Sequence, residues 1–169
     1  MDRPNHPDVA RLLTLLEGTG EDGCEAIGLL PMPSLQHCGY SCAPPNSLAF
    51  AATGGDGVHF SVLRLPEGDP TSWPVVMTVP MNFSRSNLIV GSDLCEFLGL
   101  GIRIGYFALD QLTYARNETV ALLDRNVELP SGSDMKGRTL ARIQHTFGCS
   151  PWVNHAQRIT ELQATFSMK

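Results

Sequence analysis

The chain has 169 residues, 43% hydrophobic and 17% charged, with a formal net charge of −5. That length supports one domain with a substantial core and would cramp two. The acidic balance argues against a phosphate-backbone partner, and no window approaches the ~20 apolar residues that a membrane span needs.

The charge is uneven. Residues 1–70 carry nine acidic and three basic side chains, a net −6, whereas residues 134–169 carry two acidic and five basic, a net +3. An acidic N-terminal part would attract a basic partner through complementary fields, chiefly by speeding the encounter. A surface kept soluble by its charge explains the same pattern. The opening MDRPNHPDVARLL has no basic start followed by a long apolar run, so the expectation is a cytoplasmic protein, in which the sequons at Asn82 and Asn117 are chance matches. Five cysteines, at 24, 38, 42, 95 and 149, make an odd number, and reduced thiols follow as the default.

In chain order, Pro7 and Asp8 precede Val9, Leu12, Leu13 and Leu16, a helical spacing that ends near Gly18. GTGEDG then reads as a polar turn, Glu25–Leu30 as a short strand, and PMPSLQHCGYSCAPPN (31–46) as an irregular loop, because its prolines and glycine oppose a regular element. Alternation at Leu48, Phe50 and Ala52, and again at Val58, Phe60 and Val62, predicts two strands joined by GGDG (54–57) as a hairpin. A phosphate loop is disfavoured there, since a strand and not a helix follows. PVVMTVP lacks polar alternation, as a strand covered on both faces should, and NLIVG is its expected neighbour. Ser92 and Asp93 cap a helix striped by Leu94, Phe97 and Leu98, and Gly99, Gly101 and Gly105 close it without forming a dinucleotide loop.

The C-terminal third reads as helical. Asn117 is the expected cap of ETVALLDR; Leu140, Ile143 and Phe147 line a helix stopping at Gly148; Ser150 and Pro151 should start the last helix, with Trp152, Ala156, Ile159, Leu162 and Phe166 on one face. The expected domain is 1–169, with a sheet core over 25–92 and C-terminal helices over 117–166. Cys95 and Cys149 read as structural, and His145 and His155 as solvent-facing.

Among chemical constellations, His37, Cys38, Cys42 and His59 could reach one zinc ion, but the second tight pair of a structural site is missing. A Cys–His nucleophile would need a base and an oxyanion donor beside the thiol. The sequence supplies no recognisable catalytic set, so neither a cofactor nor a metal is expected and the chain is read as no enzyme.

LAFAATGGDGVHFSVL, PVVMTVPMNF and NLIVGSDLCEFLGLG, in that order, resemble the SUKH superfamily, a mostly bacterial group that includes many immunity proteins of polymorphic toxin systems. The resemblance covers about Ser47–Gly101 and describes a scaffold, not an activity. It implies an α+β domain with a mixed, largely antiparallel sheet flanked by helices, acting by binding. The expected partner is a cognate toxin protein, a nuclease among the kinds it would suit, with no nucleic acid and no membrane; a homodimer through a sheet edge is compatible. Glu21, Asp22, Glu25, Asp56, Glu67 and Asp69 are the candidate partner-binding residues. Two alternatives stand beside this: a small-molecule or peptide-binding regulatory domain with a pocket under the loop around His37, Cys38 and Tyr40, and a thiol- or metal-dependent enzyme.

Overall fold

The computed structural model describes residues 6–126 and 128–166, with residues 33 and 34 described by their backbone alone. Both ends of the expected 1–169 domain therefore lie outside the described residues.

Helix α1 (Pro7–Thr19) starts where expected. Pro7 occupies a position whose N–H is unneeded, and His6 Nδ1 accepts the Val9 N–H at 3.3 Å. Its face of Val9, Leu12, Leu15 and Leu16 is buried. The expected turn and strand at 18–30 are instead helix α2 (Glu21–Ile27): Glu21 and Asp22 sit in its first turn, where the helix dipole favours carboxylates, and Cys24 and Ile27 fall on one buried face. Strand β1 (Leu30–Gln36) also replaces part of the expected loop. Its prolines are compatible with pairing because it is an edge strand, hydrogen-bonded on one side only. The irregular connection shrinks to residues 37–46.

Strands β2 (Ser47–Ala52), β3 (His59–Leu63), β4 (Val75–Thr78) and β5 (Asn87–Gly91) follow as anticipated. The sheet order is β1-β2-β3-β4-β5 with every neighbour antiparallel, so the sheet is a plain meander and not mixed. Its strands begin at Leu30 rather than at residue 25. Period-two geometry gives the sheet two distinct faces. On one, Phe50 and Phe60 meet Phe97 of α3 (Leu94–Gly101) at centroid distances of 5.8 and 4.8 Å, and Tyr106 closes the cluster 5.2 Å from Phe97. The Tyr106 ring lies against Gly101, where any Cβ would collide with it, and its hydroxyl donates to the Leu98 carbonyl at 2.8 Å.

Helices α4 (Gln111–Tyr114) and α5 (Arg116–Arg125) come next. Asn117 is not the cap of α5: it lies inside the first turn, exposed, and Ala115 precedes the helix, its carbonyl accepting from the Thr119 N–H at 3.0 Å. Helix α6 (Met135–Phe147) is capped by Asp134, which accepts the Gly137 N–H at 2.7 Å, and it stops at Gly148 as expected. Helix α7 (His155–Thr165) starts later than Ser150 and Pro151 suggest. Trp152 is held outside the helix: its Nε1 donates to the Glu96 carbonyl at 2.8 Å, and its own carbonyl accepts from Arg103 Nη1 at 3.0 Å. His155 is buried rather than solvent-facing, because its Nδ1 pairs with Asp124 Oδ1 of α5 at 2.5 Å; His145 is exposed. Cys149 is buried and Cys95 exposed.

Glu96 joins three elements. Asp93 accepts the Glu96 N–H at 2.8 Å while Glu96 Oε2 accepts the Ser92 N–H at 2.6 Å, a reciprocal cap of α3. The same carboxylate takes Arg158 of α7 in a two-pronged pair, with Nε at 2.5 Å and Nη2 at 3.1 Å. Farther along α7, the Gln163 side-chain amide donates to the Ile89 carbonyl and accepts the Ile89 N–H, both at 2.9 Å, so it occupies the free side of β5 as a strand would.

Burial alone would raise the Glu96 carboxyl, but the bonds from Arg158 and Ser92 outweigh it and hold the group below its ordinary value of 4.5. A carboxylate lowered in the fold contributes stability that is present above the unfolded value and lost as pH falls through the folded one. Glu96→Gln should therefore cost about 2 kcal/mol at pH 7 in urea unfolding, and the deficit should narrow as the pH drops below 4.5. A deficit unchanged down to pH 3 would detach Glu96 from the acid sensitivity.

Candidate functional site

Antiparallel pairing puts the β2–β3 turn and the β4–β5 turn at the same end of the sheet, and a thiol, an imidazole and several exposed apolar side chains converge there. Loop 37–46 reaches this end across the sheet face opposite α3. Phe60 points at α3, so His59 beside it points the other way; the row His59, Thr78 and Asn87 crosses that face in register. The loop is fastened to both ends of the row. Cys38 Sγ lies 2.8 Å from His59 Nε2, and Asn87 Nδ2 donates to the Cys42 carbonyl at 2.7 Å, while Thr78 Oγ1 donates to Asn87 Oδ1 at 2.8 Å.

The Cys38–His59 pair is organised beyond its contact. His59 Nδ1 is 2.7 Å from the Gly57 carbonyl, which can only accept, so Nδ1 carries the proton and Nε2 faces the thiol as a base. Burial pushes the imidazole below its ordinary value of 6.5; the Gly57 bond opposes this and nearby His37 adds to it. Tyr40 stacks on the His59 ring at 5.6 Å, with 17° between the planes. Gly57 makes the stack possible: its φ of +72° is in the left-handed region, and a Cβ there would run into the Tyr40 ring. A cavity of about 290 Å³ opens beside the pair, walled by Cys38, Tyr40, Gly54, Gly55 and Met32.

Of the four residues weighed for zinc, only Cys38 and His59 meet. His37 turns back to accept the Gly39 N–H at 3.1 Å, and among the described residues no three His, Cys, Asp or Glu side chains come together as a metal site would require. Cys42 instead borders a separate cleft of about 660 Å³, formed with Pro44, Leu63, Leu65, Asn87 and Phe166 under the second half of the loop.

Around the same end stand large apolar side chains that face solvent: Tyr40, Met81, Phe83, Phe107 and Tyr114, with Phe83 89% and Phe107 63% exposed. Their neighbourhood follows from specific contacts. Pro80, next to Met81, and Tyr40 both flank Gly57; Phe107 packs beside Gly55 and Gly28; buried Asn82 donates to the Thr113 carbonyl at 3.1 Å, tying the β4–β5 turn to α4 and Tyr114. This end was not foreseen. Its one sequence signal is the pair Met81 and Phe83 in a turn-forming stretch, where solvated residues are the norm.

The six acidic candidates are all exposed, and they do not form one patch. Asp56 sits in the β2–β3 turn, near Phe107. Glu21, Asp22 and Glu25 lie on α2, whose closing Gly28 packs against Phe107. Glu67 and Asp69 lie in the β3–β4 connection at the opposite end of β3, roughly 16 Å away for a five-residue strand. Asp69 is occupied locally, accepting from the Thr71 N–H at 2.8 Å and from its hydroxyl at 2.7 Å.

No family model matches this sequence, and neither a curated protein nor a solved structure matches it. Among the described residues no helix is long and apolar enough to cross a membrane.

A neutral imidazole in the fold that protonates more readily when unfolded makes the unfolded state bind protons first, so stability should fall as pH drops below 6.5. His6, also lowered by burial, acts in the same sense. His59→Gln should flatten part of the pH 7-to-5 decline in thermal stability. A decline of unchanged steepness would assign it to His6 and other groups.

Proposed function

We propose that this chain is a non-catalytic binding protein of the immunity type, which neutralises a cognate toxin by gripping it with the hairpin end of its sheet. The observation that carries this reading is the group of exposed aromatic and methionine side chains at that end. Such residues anchor protein interfaces, and here five of them, Phe83 at 89% and Phe107 at 63% exposed among them, gather at one end. Asp56 in the β2–β3 turn, and the acids of α2, the helix whose closing Gly28 packs on Phe107, supply negative charge suited to a basic partner, a nuclease domain among them. Glu67 and Asp69, far from this end, are left out of that surface. The resemblance of Ser47–Gly101 to the SUKH superfamily points the same way.

A second reading, a regulatory domain holding a small molecule or a peptide, is favoured by the cleft of about 660 Å³ under loop 41–46, which has the volume and apolar lining of a ligand site.

The two readings separate in one experiment. Tagged wild type and the double variant Phe83→Ser, Phe107→Ser are used to capture partners from the native cells. The first reading expects a protein recovered at near-equal stoichiometry by wild type, at least tenfold depleted with the variant, and toxic when expressed without this chain. It also expects reversal of Glu25 and Asp56 to slow association, and reversal of Glu67 and Asp69 to leave it unchanged. A captured protein retained equally by the variant, or harmless on its own, would overturn it. Both substituted side chains are exposed, so thermal stability should be unchanged.

A further inference from the structure

Among the described residues, four of the five thiols have no basic partner, and their surroundings differ accordingly. Cys24 is buried and aimed at the Leu16 carbonyl at 3.4 Å; Cys149 is buried, its thiol pushed up to about 11 by burial. Cys95 is exposed, points to the Phe147 carbonyl at 3.7 Å, and is raised by burial of its sulfur and by Asp93. Cys42 offers only its backbone carbonyl to a polar partner, Asn87. Among the described residues, Cys38 alone faces an imidazole nitrogen whose lone pair is directed at it, and it does so at the wall of a cavity.

We propose that Cys38 is a site of covalent thiol modification, with His59 as its base and small disulfides as the reagents it takes up into the cavity between loop 37–46 and the β2–β3 turn. The base is set for this by the Gly57 carbonyl, which fixes its tautomer, and by Tyr40, which holds its ring from one side. His59 Nε2 takes the Sγ proton, and the thiolate attacks one sulfur of R–S–S–R. A bond forms from Sγ to that sulfur as the R–S–S–R bond breaks, and the departing thiolate receives the proton from His59. The products are a mixed disulfide on Cys38 and one small thiol; the reagent is reduced as the protein thiol is oxidised, with no further reactant. The cavity, about 290 Å³ and open to solvent, has room for a short R–S group beside Cys38. The proposal needs no partner protein; of the exposed aromatic group it shares only Tyr40, which acts here through its stack on His59.

The test incubates the full-length chain at pH 7 with 2-hydroxyethyl disulfide, an uncharged probe, and follows each cysteine by mass spectrometry of its peptide. Cys38 should acquire the adduct about tenfold or more faster than Cys42 and Cys95 of the same molecules. His59→Gln should bring Cys38 down to the rate of Cys42 while leaving Cys42 and Cys95 as they were. Equal rates at Cys38 and Cys42 in wild type would overturn the proposal, as would a Cys38 rate untouched in a folded His59→Gln chain. Should that variant unfold, buried Cys24 and Cys149 would react with the rest, and the wild-type ranking alone decides.

Discussion

The packing of Phe97 onto the sheet is the contact on which the remaining arrangement depends. Its ring meets Phe50, Phe60 and Tyr106, all fully buried, and burying a side chain of this size contributes about 2–3 kcal/mol before the edge-to-face geometry adds to it. Fixing Phe97 fixes α3, and Glu96 beside it then holds Arg158 of α7 and, through its carbonyl, Trp152. Tyr106, packed on the same ring, donates its N–H to the Ile27 carbonyl at 2.7 Å and so draws the end of α2 to the same place. One aromatic residue thus aligns the helices before the sheet with those after it.

The hairpin end inherits its order from this core. Phe107 follows Tyr106 immediately, so burial of one presents the other to solvent beside Gly55. The opposite sheet face is ordered differently, by polar pairs: Cys38 with His59, Thr78 with Asn87, Asn87 with the Cys42 carbonyl. Helices cover the face of Phe50 and Phe60; on the other, beside buried Ser61, Val76 and Ile89, the row His59, Thr78 and Asn87 meets a loop whose backbone carbonyls a side chain such as Asn87 can satisfy.

Much of the fold was legible in the sequence. The β2–β3 hairpin, β4, β5 and the capped α3 all carry local signals: period two, glycines in the turn, and Asp93 with Glu96 three residues on. What was not legible depended on neighbours. Prolines in β1 argue against a strand until it is known that one side of that strand has no partner. The start of α7 at His155 rather than near Pro151 is decided by Glu96 and Arg103, about fifty residues away, which tie Trp152 into an irregular backbone. His155 looks solvent-facing by helical phase and is buried because Asp124 of α5 sits opposite. The site was half legible: the loop cysteines and His59 stood out as chemistry, but a linear pattern cannot tell that Cys38 would find His59 while Cys42 and His37 turned elsewhere.

The Gln163 amide on Ile89 has a consequence for the chain in a crowded cell. A meander has two open flanks, and each is an invitation to recruit a strand from another molecule and grow into an ordered aggregate. On the β5 flank the Ile89 pair is already saturated by a side chain fixed to α7, and an incoming strand would first have to pry that helix away. On the β1 flank Pro31 and Pro33 contribute no donors to a newcomer. The bare aromatic rings at the hairpin end are therefore not accompanied by a sheet edge on which a foreign strand could readily build.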